Sequence, residues 1–431
     1  MSERTVVAVV GAGITGLSLG YHLARAGVPH VVLEAEGRPG GVIRSDRVEG
    51  HLVEWGPQRT RLTIAMQQLV AELGLGPRVL TAPSGLPLYV YRAGRLREVP
   101  FSVGQFLRSD IVSFWAKLRA AAEPLTAPAR DDESVADYFI RKLGRHVYEN
   151  IAGPLYGGLY ASDPAEMVVG LSLRHLLREV GVERSLLATL LRRGGAVDPP
   201  PACSFIDGME ELPRALYESD RANVVLEAPV LGLEASGRGW RVESESRTVE
   251  ADRVILTTPA RAAARLLAEA APTAAAAIRR LHYNPLAVVH LRAHTELVGL
   301  GYQVSLAERL ATRGVTFNDS LFDREGVYTA YLGGSRAPEV VGWSDTEIGT
   351  VAVREFQQVT AYEARPLWVE REAMPAWDAS WAALIGISLP PGLRIAANWE
   401  SRPGLPGRLA QAKRLAEECA REAGGHRPVS A

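Results

Sequence analysis

The sequence predicts an α/β protein with a discontinuous Rossmann-type nucleotide-binding domain, a substrate domain built on a mixed sheet, and a helical insert. Three observations predict this architecture. A β-branched strand runs into a glycine-rich turn within residues 6–16. Residues 104–195 carry an almost wholly helical pattern, whereas residues 280–370 alternate strands and helices. A late strand at residues 393–396 and a closing helix indicate that the chain returns to its first domain.

The composition is that of a soluble globular protein and disfavours two classes of function. Of the 431 residues, 47% are hydrophobic, and 48 Lys plus Arg against 49 Asp plus Glu give a net charge of −1. A chain without positive excess is not expected to bind nucleic acid. No uninterrupted run of about 20 apolar residues occurs, so we expect no membrane-spanning segment. Peripheral contact with a membrane stays open.

The cysteine content limits metal chemistry and location. Cys203 and Cys419 are the two cysteines of the chain, too few for a disulfide framework or a Cys-rich metal site, so we expect no metal. Their scarcity is typical of a reducing compartment. Because no signal peptide is visible either, we expect a cytoplasmic protein.

The glycine-rich turn lies in the context that dinucleotide binding requires. A strand at residues 6–10 precedes the turn, a helix is predicted over 17–26, and a second strand over 31–33 ends at Glu34. Strand, helix, second strand and acid are therefore all in their expected places. The residues of the turn are Gly11, Ala12, Gly13, Ile14, Thr15 and Gly16.

Each part of this unit has a physical role at a cofactor pyrophosphate. Gly11 permits the tight turn, Gly13 lets the phosphates approach the backbone, and Gly16 lets helix and strand pack closely. The helix N-terminus offers free N–H groups and a positive dipole end. Glu34 can accept hydrogen bonds from a ribose 2′-hydroxyl and would repel a 2′-phosphate.

Two further segments favour FAD as the cofactor. The glycine pair soon after Glu34 indicates a second backbone approach to a long cofactor, and another compact turn follows at residues 54–59. These segments resemble the second and third FAD contacts of the amine-oxidase-like flavoprotein superfamily. The cofactor-binding residues that this resemblance implies are Ala35, Gly40, Gly41, Val42, Gly56, Pro57, Gln58 and Arg59.

The remaining elements follow from hydrophobic periodicity. We expect a helix within residues 60–80, a hairpin within 87–100 and a helix capped by Ser134. The further expected elements are strands at 224–226, 240–243, 254–257, 287–291, 328–332, 367–371 and 393–396, and a closing helix at 409–422.

We divide the chain into three interleaved domains. In chain order, the pieces are residues 1–80 (nucleotide-binding), 81–103 (substrate), 104–198 (helical insert), 199–265 (nucleotide-binding), 266–385 (substrate) and 386–431 (nucleotide-binding). The insert is expected to act as a lid or to face a membrane.

Over most of its length, the chain resembles the protoporphyrinogen/coproporphyrinogen oxidase family. The resemblance implies an FAD-dependent enzyme that acts on a porphyrinogen. The segments that carry it are residues 134–139, 143–144, 158–164, 205–209, 299–302, 317–322, 333–334 and 374–375.

The same resemblance implies cofactor contacts beyond the opening motif. Val230 matches the position whose backbone holds the adenine, and Thr258 lies in the turn beside the flavin. The helix that begins near residue 405 would direct N–H groups at the flavin N1/O2 edge, where negative charge develops on reduction. The matching residues at this end are Asn398, Trp399, Pro403, Gly404 and Leu405.

The chain departs from the family at three places. Ala397 stands where the family usually has Gly, and Trp377 stands at an aromatic position that is often Tyr. An Arg that holds a substrate propionate in some members would fall at Gly104. Arg108, one helical turn further on, and Arg97, in the preceding hairpin, are the substrate-binding residues that we expect in its place.

The resemblance implies that six electrons leave protoporphyrinogen IX or coproporphyrinogen III in three flavin cycles, with dioxygen as acceptor, in heme biosynthesis. The cofactor performs the difficult step, and the sequence shows no acid–base constellation, so we name no catalytic residue. Many amine oxidases of this superfamily use a lysine beside the flavin. The three lysines are Lys117, Lys142 and Lys413, and this scarcity disfavours an amine substrate.

Several alternatives stay open at this point. Another flavin desaturase or an amine oxidase would share these motifs, as would a non-catalytic protein that binds a tetrapyrrole or FAD. A homodimer is one oligomeric state that the sequence allows. A helix predicted over residues 106–118 packs over the active site or dips into a membrane surface. Its apolar stripe consists of Leu107, Ile111, Trp115 and Leu118.

Overall fold

The computed structural model describes residues 3–195, 199–237, 239–401 and 404–424. These residues form two seven-stranded sheets, two smaller sheets and the helices around them. The strands are β1 Glu3–Val10, β2 His30–Leu33, β3 Ser45–Val48, β4 His51–Glu54, β5 Thr60–Arg61, β6 Val79–Thr81, β7 Leu88–Arg92, β8 Arg95–Glu98, β9 Ala202–Phe205, β10 Val224–Val225, β11 Val230–Ser236, β12 Gly239–Ser244, β13 Thr248–Leu256, β14 Tyr283–Ala293, β15 Gly301–Val304, β16 Thr312–Phe317, β17 Val327–Gly333, β18 Ala364–Pro375 and β19 Leu393–Ile395.

Helices cover both faces of the first sheet, one face of the second, and the region between β8 and β9. They are α1 Ile14–Arg25, α2 Ile64–Glu72, α3 Val103–Arg108, α4 Phe114–Ala121, α5 Val135–Leu143, α6 Arg145–Val147, α7 Gly153–Gly158, α8 Arg174–Glu179, α9 Leu186–Arg192, α10 Glu211–Ser219, α11 Ala260–Ala270, α12 Pro272–Arg279, α13 Asn318–Phe322, α14 Asp345–Thr360 and α15 Leu405–Gly424.

The first sheet has the order β10-β2-β1-β13-β12-β11, and β19 pairs with the C-terminal part of β13, beyond the residues that pair with β12. Its central strands are parallel and buried, as their β-branched runs predict. In register, Val10 pairs with Leu33 and with Leu256, and Leu256 pairs with Ile395. The carboxyl ends of four strands therefore meet at one edge, where ligands bind in open α/β sheets.

Two hydrophobic cores hold helices against this sheet. On one face, α1, α10 and α15 bury Leu17, Leu212 and Leu409. On the other face, α11 and α12 pack with the β11–β12 hairpin around Trp240. Helices on both faces of a largely parallel sheet are the doubly wound arrangement that the sequence predicts.

The second sheet has the order β18-β14-β17-β16-β15-β7-β8. It is mixed, because β7 runs parallel to β15 while the other neighbours are antiparallel. The long helix α14 begins with a capping box at Ser344 and Glu347 and buries Ile348 and Phe356 against one face. The α/β fold with a second, mixed sheet is confirmed.

Among the described residues, the region between β8 and β9 contains helices α3 to α9. Ser134 caps α5 as predicted, accepting a hydrogen bond from the backbone N–H of Asp137. Burial by itself would raise the pKa of Glu123, but hydrogen bonds from Lys142 and Ser185 lower it overall. The Glu123–Lys142 ion pair, at 2.8 Å and fully buried, ties α5 to the start of α9.

The prediction of a single helix over residues 106–118 is wrong. Helix α3 ends at Arg108 and α4 begins at Phe114, because Ser113 caps α4 with its hydroxyl and Lys117 donates to two carbonyls at the end of α3. Ile111, in the break between them, is fully buried. The other members of the predicted stripe, Leu107, Trp115 and Leu118, are exposed.

Candidate active site

The glycine-rich turn has the geometry of a phosphate-binding site. Gly11 has φ +104°, and its N–H donates to the Leu33 carbonyl at 2.8 Å, which joins the ends of β1 and β2. A Cβ on Gly16 would overlap the Gly11 carbonyl oxygen, so only glycine allows this packing. Ile14 opens α1, whose first turn has neither a side-chain cap nor an acidic residue. Its N–H groups are therefore available to an anion.

The second glycine segment lies directly against the first. The Gly40 N–H donates to the Ala12 carbonyl at 2.8 Å, and a Cβ on Gly41 would lie 3.3 Å from the Gly13 Cα. A Cβ on Gly13 itself would have no heavy atom within 4 Å. Backbone therefore surrounds an open space above Gly13, as an approaching diphosphate requires.

Glu34 lies at the edge of this space, and protein donors already orient it. Its carboxylate accepts the N–H groups of Ala12 at 2.6 Å and Glu36 at 3.0 Å. Each carboxylate oxygen retains a lone pair for a ribose hydroxyl. The Ala228 N–H donates to the Glu34 carbonyl at 2.7 Å, which brings the buried Val230 close to the same edge. Ala35 is exposed beside it.

Arg38 is a residue of this site that the sequence analysis did not single out. Its Nη2 donates to the Gly41 carbonyl at 2.8 Å. Its Nη1 is buried and has no hydrogen-bond partner in the described part of the chain. A buried, unsatisfied guanidinium nitrogen beside the glycine pair fits a diphosphate. The signal available in the sequence was its position between Glu34 and that pair.

The turn after β13 supplies an unsatisfied hydroxyl next to Gly11. Thr257 donates to the carbonyls of Val10 and Gly11, both at 2.9 Å. The neighbouring Thr258 hydroxyl is buried and finds no partner among the described residues. The fully buried Trp399 donates to the Thr258 carbonyl at 3.0 Å, whereas Asn398 is exposed.

The start of α15 adds a positive region at the same edge. Gly404 precedes this helix and Leu405 begins it, while Pro403 lies outside the described residues. Arg408, which the sequence analysis missed, is only 3% exposed and donates to the Ala397 carbonyl at 2.6 Å. Burial lowers its pKa to about 10. A buried cation and a helix N-terminus together suit an anionic ring edge.

The third glycine turn joins the two sheets. A Cβ on Gly56 would overlap the Val42 carbonyl, because this turn packs closely on the second glycine segment. Pro57 is half-buried, and the side chain of Val42 is exposed. Gln58 donates to the carbonyls of Glu54 and Gly56. Its Oε1 accepts hydrogen bonds from Asn318 at 3.0 Å and Thr329 at 2.9 Å. Both the nitrogen and the oxygen of the Gln58 amide are therefore engaged in hydrogen bonds within the protein.

One face of the second sheet therefore faces this turn. Thr329 of β17 contacts Gln58, and the ring of Trp368 on β18 lies 5.2 Å from that of Trp55. We call this surface of β14, β17 and β18 the front face. The back face is covered by α14, whose Asp345 pairs with Arg371 of β18. We expect a substrate to bind between the 54–59 turn and the part of the front face beyond these contacts, and we call this region the cleft.

A neutral histidine is buried behind this turn. His290 Nδ1 lies 3.2 Å from the Thr329 hydroxyl, and burial lowers the pKa of the imidazole to about 4. The nearby Glu54–Arg324 ion pair, at 2.9 Å, is also buried. His290 therefore stabilises the link between turn and sheet in its uncharged form.

Of the two arginines expected to bind substrate, Arg97 lies in β8 and Arg108 ends α3. Arg97 is already engaged, with Asp110 at 3.4 Å and the Arg92 carbonyl as partners. Arg108 is exposed, and its Nη2 lies 3.6 Å from the place where a Cβ on Gly104 would be. Arg108 thus lies over Gly104.

A Rossmann-type sheet, three glycine segments converging on its edge and a second sheet facing them define an FAD-dependent oxidoreductase. The chain matches the family described as flavin containing amine oxidoreductase over residues 14–390. It is 32% identical over 417 residues to protoporphyrinogen oxidase of Homo sapiens, covering 86% of this chain and 85% of that protein. The chain belongs to the protoporphyrinogen oxidase family within these flavin amine oxidoreductases.

Solved structures agree on the fold. A provisionally assigned protoporphyrinogen oxidase from Exiguobacterium sp. 255-15 has a TM-score of 0.80 at 22% identity, over 98% of this chain and 99% of that one. Cyclohexylamine oxidase from Brevibacterium oxydans IH-35A has a TM-score of 0.71 at 16% identity, over 97% and 99%. At these identities the likeness shows the fold alone.

Gly13→Ala should weaken FAD binding without unfolding the protein. The new Cβ meets no protein atom but enters the space above the turn, so we expect at least about a tenfold loss of affinity. The measurement is titration of the deflavinated variant with FAD, beside its thermal unfolding temperature. Gly76→Ala, also without neighbours within 4 Å, is the control. Wild-type affinity in Gly13→Ala would contradict this assignment.

His290→Gln should flatten the dependence of stability on acid pH. Because the folded pKa, about 4, is below the ordinary 6.5, the unfolded chain binds more protons in this window. Wild-type stability should therefore fall as the pH drops from 6.5 to 4, by up to about 3 kcal/mol from this residue. Urea unfolding at several pH values measures it. His282→Gln, at a half-exposed ring, is the control, and parallel curves for wild type and His290→Gln would refute the role.

Proposed function

We propose that this protein is an oxidase that removes six electrons from a porphyrinogen and yields the porphyrin, in heme biosynthesis. The observation that carries the proposal is the 32% identity to a protoporphyrinogen oxidase, spread over 86% of the chain. The family match over residues 14–390 includes the insert and the front face. Dioxygen is the electron acceptor that we propose.

The protein residues position the reactants and shape the cleft. FAD supplies a two-electron acceptor, so that three cycles account for six electrons. The glycine segments and Glu34 hold its adenosine diphosphate part, and Arg38 and Arg408 place positive charge along the same edge. Gln58 fixes the turn against the second sheet through its hydrogen bonds with Asn318 and Thr329.

The positions of the lysines weigh against an amine oxidase of this architecture. Lys142 is fully buried against Glu123 in the insert. Lys117 donates to the carbonyls of Leu107 and Ser109, and Lys413 is exposed on α15. None of the three is left for a lysine–water pair in the cleft.

Anaerobic mixing with a porphyrinogen should bleach the yellow flavin and produce porphyrin fluorescence. Protoporphyrinogen IX and coproporphyrinogen III are tested separately, with putrescine as the amine control. In air, peroxide should form as the porphyrin accumulates. If neither porphyrinogen bleaches the flavin, or if the amine does so instead, the proposed activity is wrong.

We further propose that the protein is cytoplasmic and that it attaches to a membrane surface through the α3–α4 region. Phe114 and Trp115 are 71% and 74% exposed, and Leu107 and Leu118 lie on the same pair of helices with Lys117. Exposed aromatic and aliphatic side chains with nearby cations are typical of an interfacial helix. No helix of the described residues is long and apolar enough to cross a membrane.

Replacing Phe114 and Trp115 together by Glu should reduce binding to vesicles with anionic lipids, because the aromatic side chains supply the buried apolar area. Co-sedimentation with vesicles measures the effect, and we expect at least about a tenfold loss in the bound fraction at limiting lipid. Ile64→Glu, at an exposed position of α2, is the matched control. Equal sedimentation of all three proteins, or none by wild type, would refute membrane attachment.

A further inference from the structure

We propose that the charges of the cleft sort porphyrinogens by the number and placement of their carboxylates. Arg59 with Tyr331 binds a propionate at one side, and Glu370 with Glu372 repels carboxylates at the other. This inference rests on the proposed function and selects protoporphyrinogen IX over coproporphyrinogen III. It gives Arg59, expected above to contact the cofactor, a role at the substrate.

Arg59 has the features of an anion-binding residue. It directly follows Gln58, whose side chain is held on the front face. In the described ranges, its guanidinium has neither a hydrogen-bond acceptor nor an ion-pair partner, although the residue is half-buried. Burial lowers the pKa of Arg59 from its ordinary value, and the nearby Tyr331 counteracts this. A carboxylate would supply the missing bidentate partner.

Tyr331 completes this positive side of the cleft. It lies two residues beyond Thr329 on β17, so both side chains are on the front face. Burial raises the pKa of its phenol, which therefore stays protonated and able to donate. Its hydroxyl lies 3.5 Å from that of Thr316, at the limit of a hydrogen bond. Arginine and a phenol together offer a carboxylate three donors.

The acidic side of the cleft follows from the strand register. Glu370 pairs across to Val288 of β14, which pairs with Tyr331 of β17. Directly paired residues share a face, so Glu370 and Tyr331 are both on the front face, two strand spacings or roughly 10 Å apart. Glu372, two residues further along β18, is on that face as well.

Neither carboxylate has a cation to neutralise it within the described ranges. Glu370 accepts the backbone N–H of Arg371, whose guanidinium is on the opposite face with Asp345. Burial raises the pKa of Glu372, and the neighbouring Glu370 raises it further. This side of the cleft is therefore unfavourable for any further negative group, which is a means of rejecting a wrong ligand.

The two candidate substrates differ in the number and placement of their carboxylates. Protoporphyrinogen IX carries its two propionates on adjacent rings, so one edge is acidic and the opposite edge is apolar. Coproporphyrinogen III carries a propionate on each ring, so one of its carboxylates would always face the glutamates. An amine would prefer the reverse orientation, toward Glu370 and away from Arg59.

Binding of the product porphyrin tests the positive side without turnover. The probes are protoporphyrin IX and its dimethyl ester, added in one detergent to the flavin-loaded protein and followed by fluorescence. We expect wild type to bind the free acid about ten- to a hundredfold more tightly than the ester. Arg59→Gln should lose most of this preference and Arg59→Lys should keep part of it. Arg61→Gln, at an exposed neighbour that donates to the Pro200 carbonyl, should leave it unchanged.

Turnover of the two porphyrinogens tests the acidic side. The double variant Glu370→Gln with Glu372→Gln should raise the ratio of kcat/KM for coproporphyrinogen III to kcat/KM for protoporphyrinogen IX about tenfold or more. Glu363→Gln, at an exposed position just before β18, is the control. Unchanged preferences in the double variant, or an unchanged acid-to-ester ratio in Arg59→Gln, would overturn the inference. If wild type oxidises neither porphyrinogen, the proposed function fails instead.

Discussion

Three stretches of backbone must meet at the edge of the first sheet without side chains between them, and the site depends on this constraint. Gly16 packs on Gly11, Gly41 on Gly13, and Gly56 on the carbonyl of Val42. A Cβ at Gly16 or Gly56 would push these segments apart. Because the third segment continues into the turn that Gln58 fastens to the second sheet, the same contacts set the distance between cofactor and substrate cleft.

The buried charged groups fall into two sets. Some are paired within the protein, and others keep unused hydrogen-bond donors at the nucleotide edge and the front face. Away from the cleft, Glu123–Lys142 and His30–Asp220 are buried charged groups that are paired within the protein. Along the nucleotide edge and the front face, Arg408 and Arg59 have no carboxylate at ion-pair distance among the described residues. Arg38 lies 3.7 Å from Glu36 through its Nε, but its buried Nη1 has no hydrogen-bond partner in the same ranges. Since burial of an unpaired charge is unfavourable, such groups concentrate where a bound molecule completes them.

Local signals made part of this structure predictable. The first strand, turn and helix are encoded within residues 3–25, where propensity and glycine spacing agree, and the doubly wound sheet follows from them. The break between α3 and α4 was not predictable, because Ile111 also fits a helical stripe and only its burial shows otherwise. The Gln58 contact with Thr329 joins residues 271 positions apart, so no spacing rule reveals it. The roles of Arg38 and Arg408 likewise depend on tertiary placement.

The central claim is that this edge holds the adenosine diphosphate part of FAD, with Glu34 at the ribose. The most direct measurement is the stoichiometry and selectivity of cofactor uptake by the deflavinated protein, followed by flavin fluorescence and calorimetry. The account predicts one FAD per chain and no competition from NADP⁺, because Glu34 repels a 2′-phosphate. A protein that stays colourless when FAD is added, or from which NADP⁺ displaces the flavin, would contradict it.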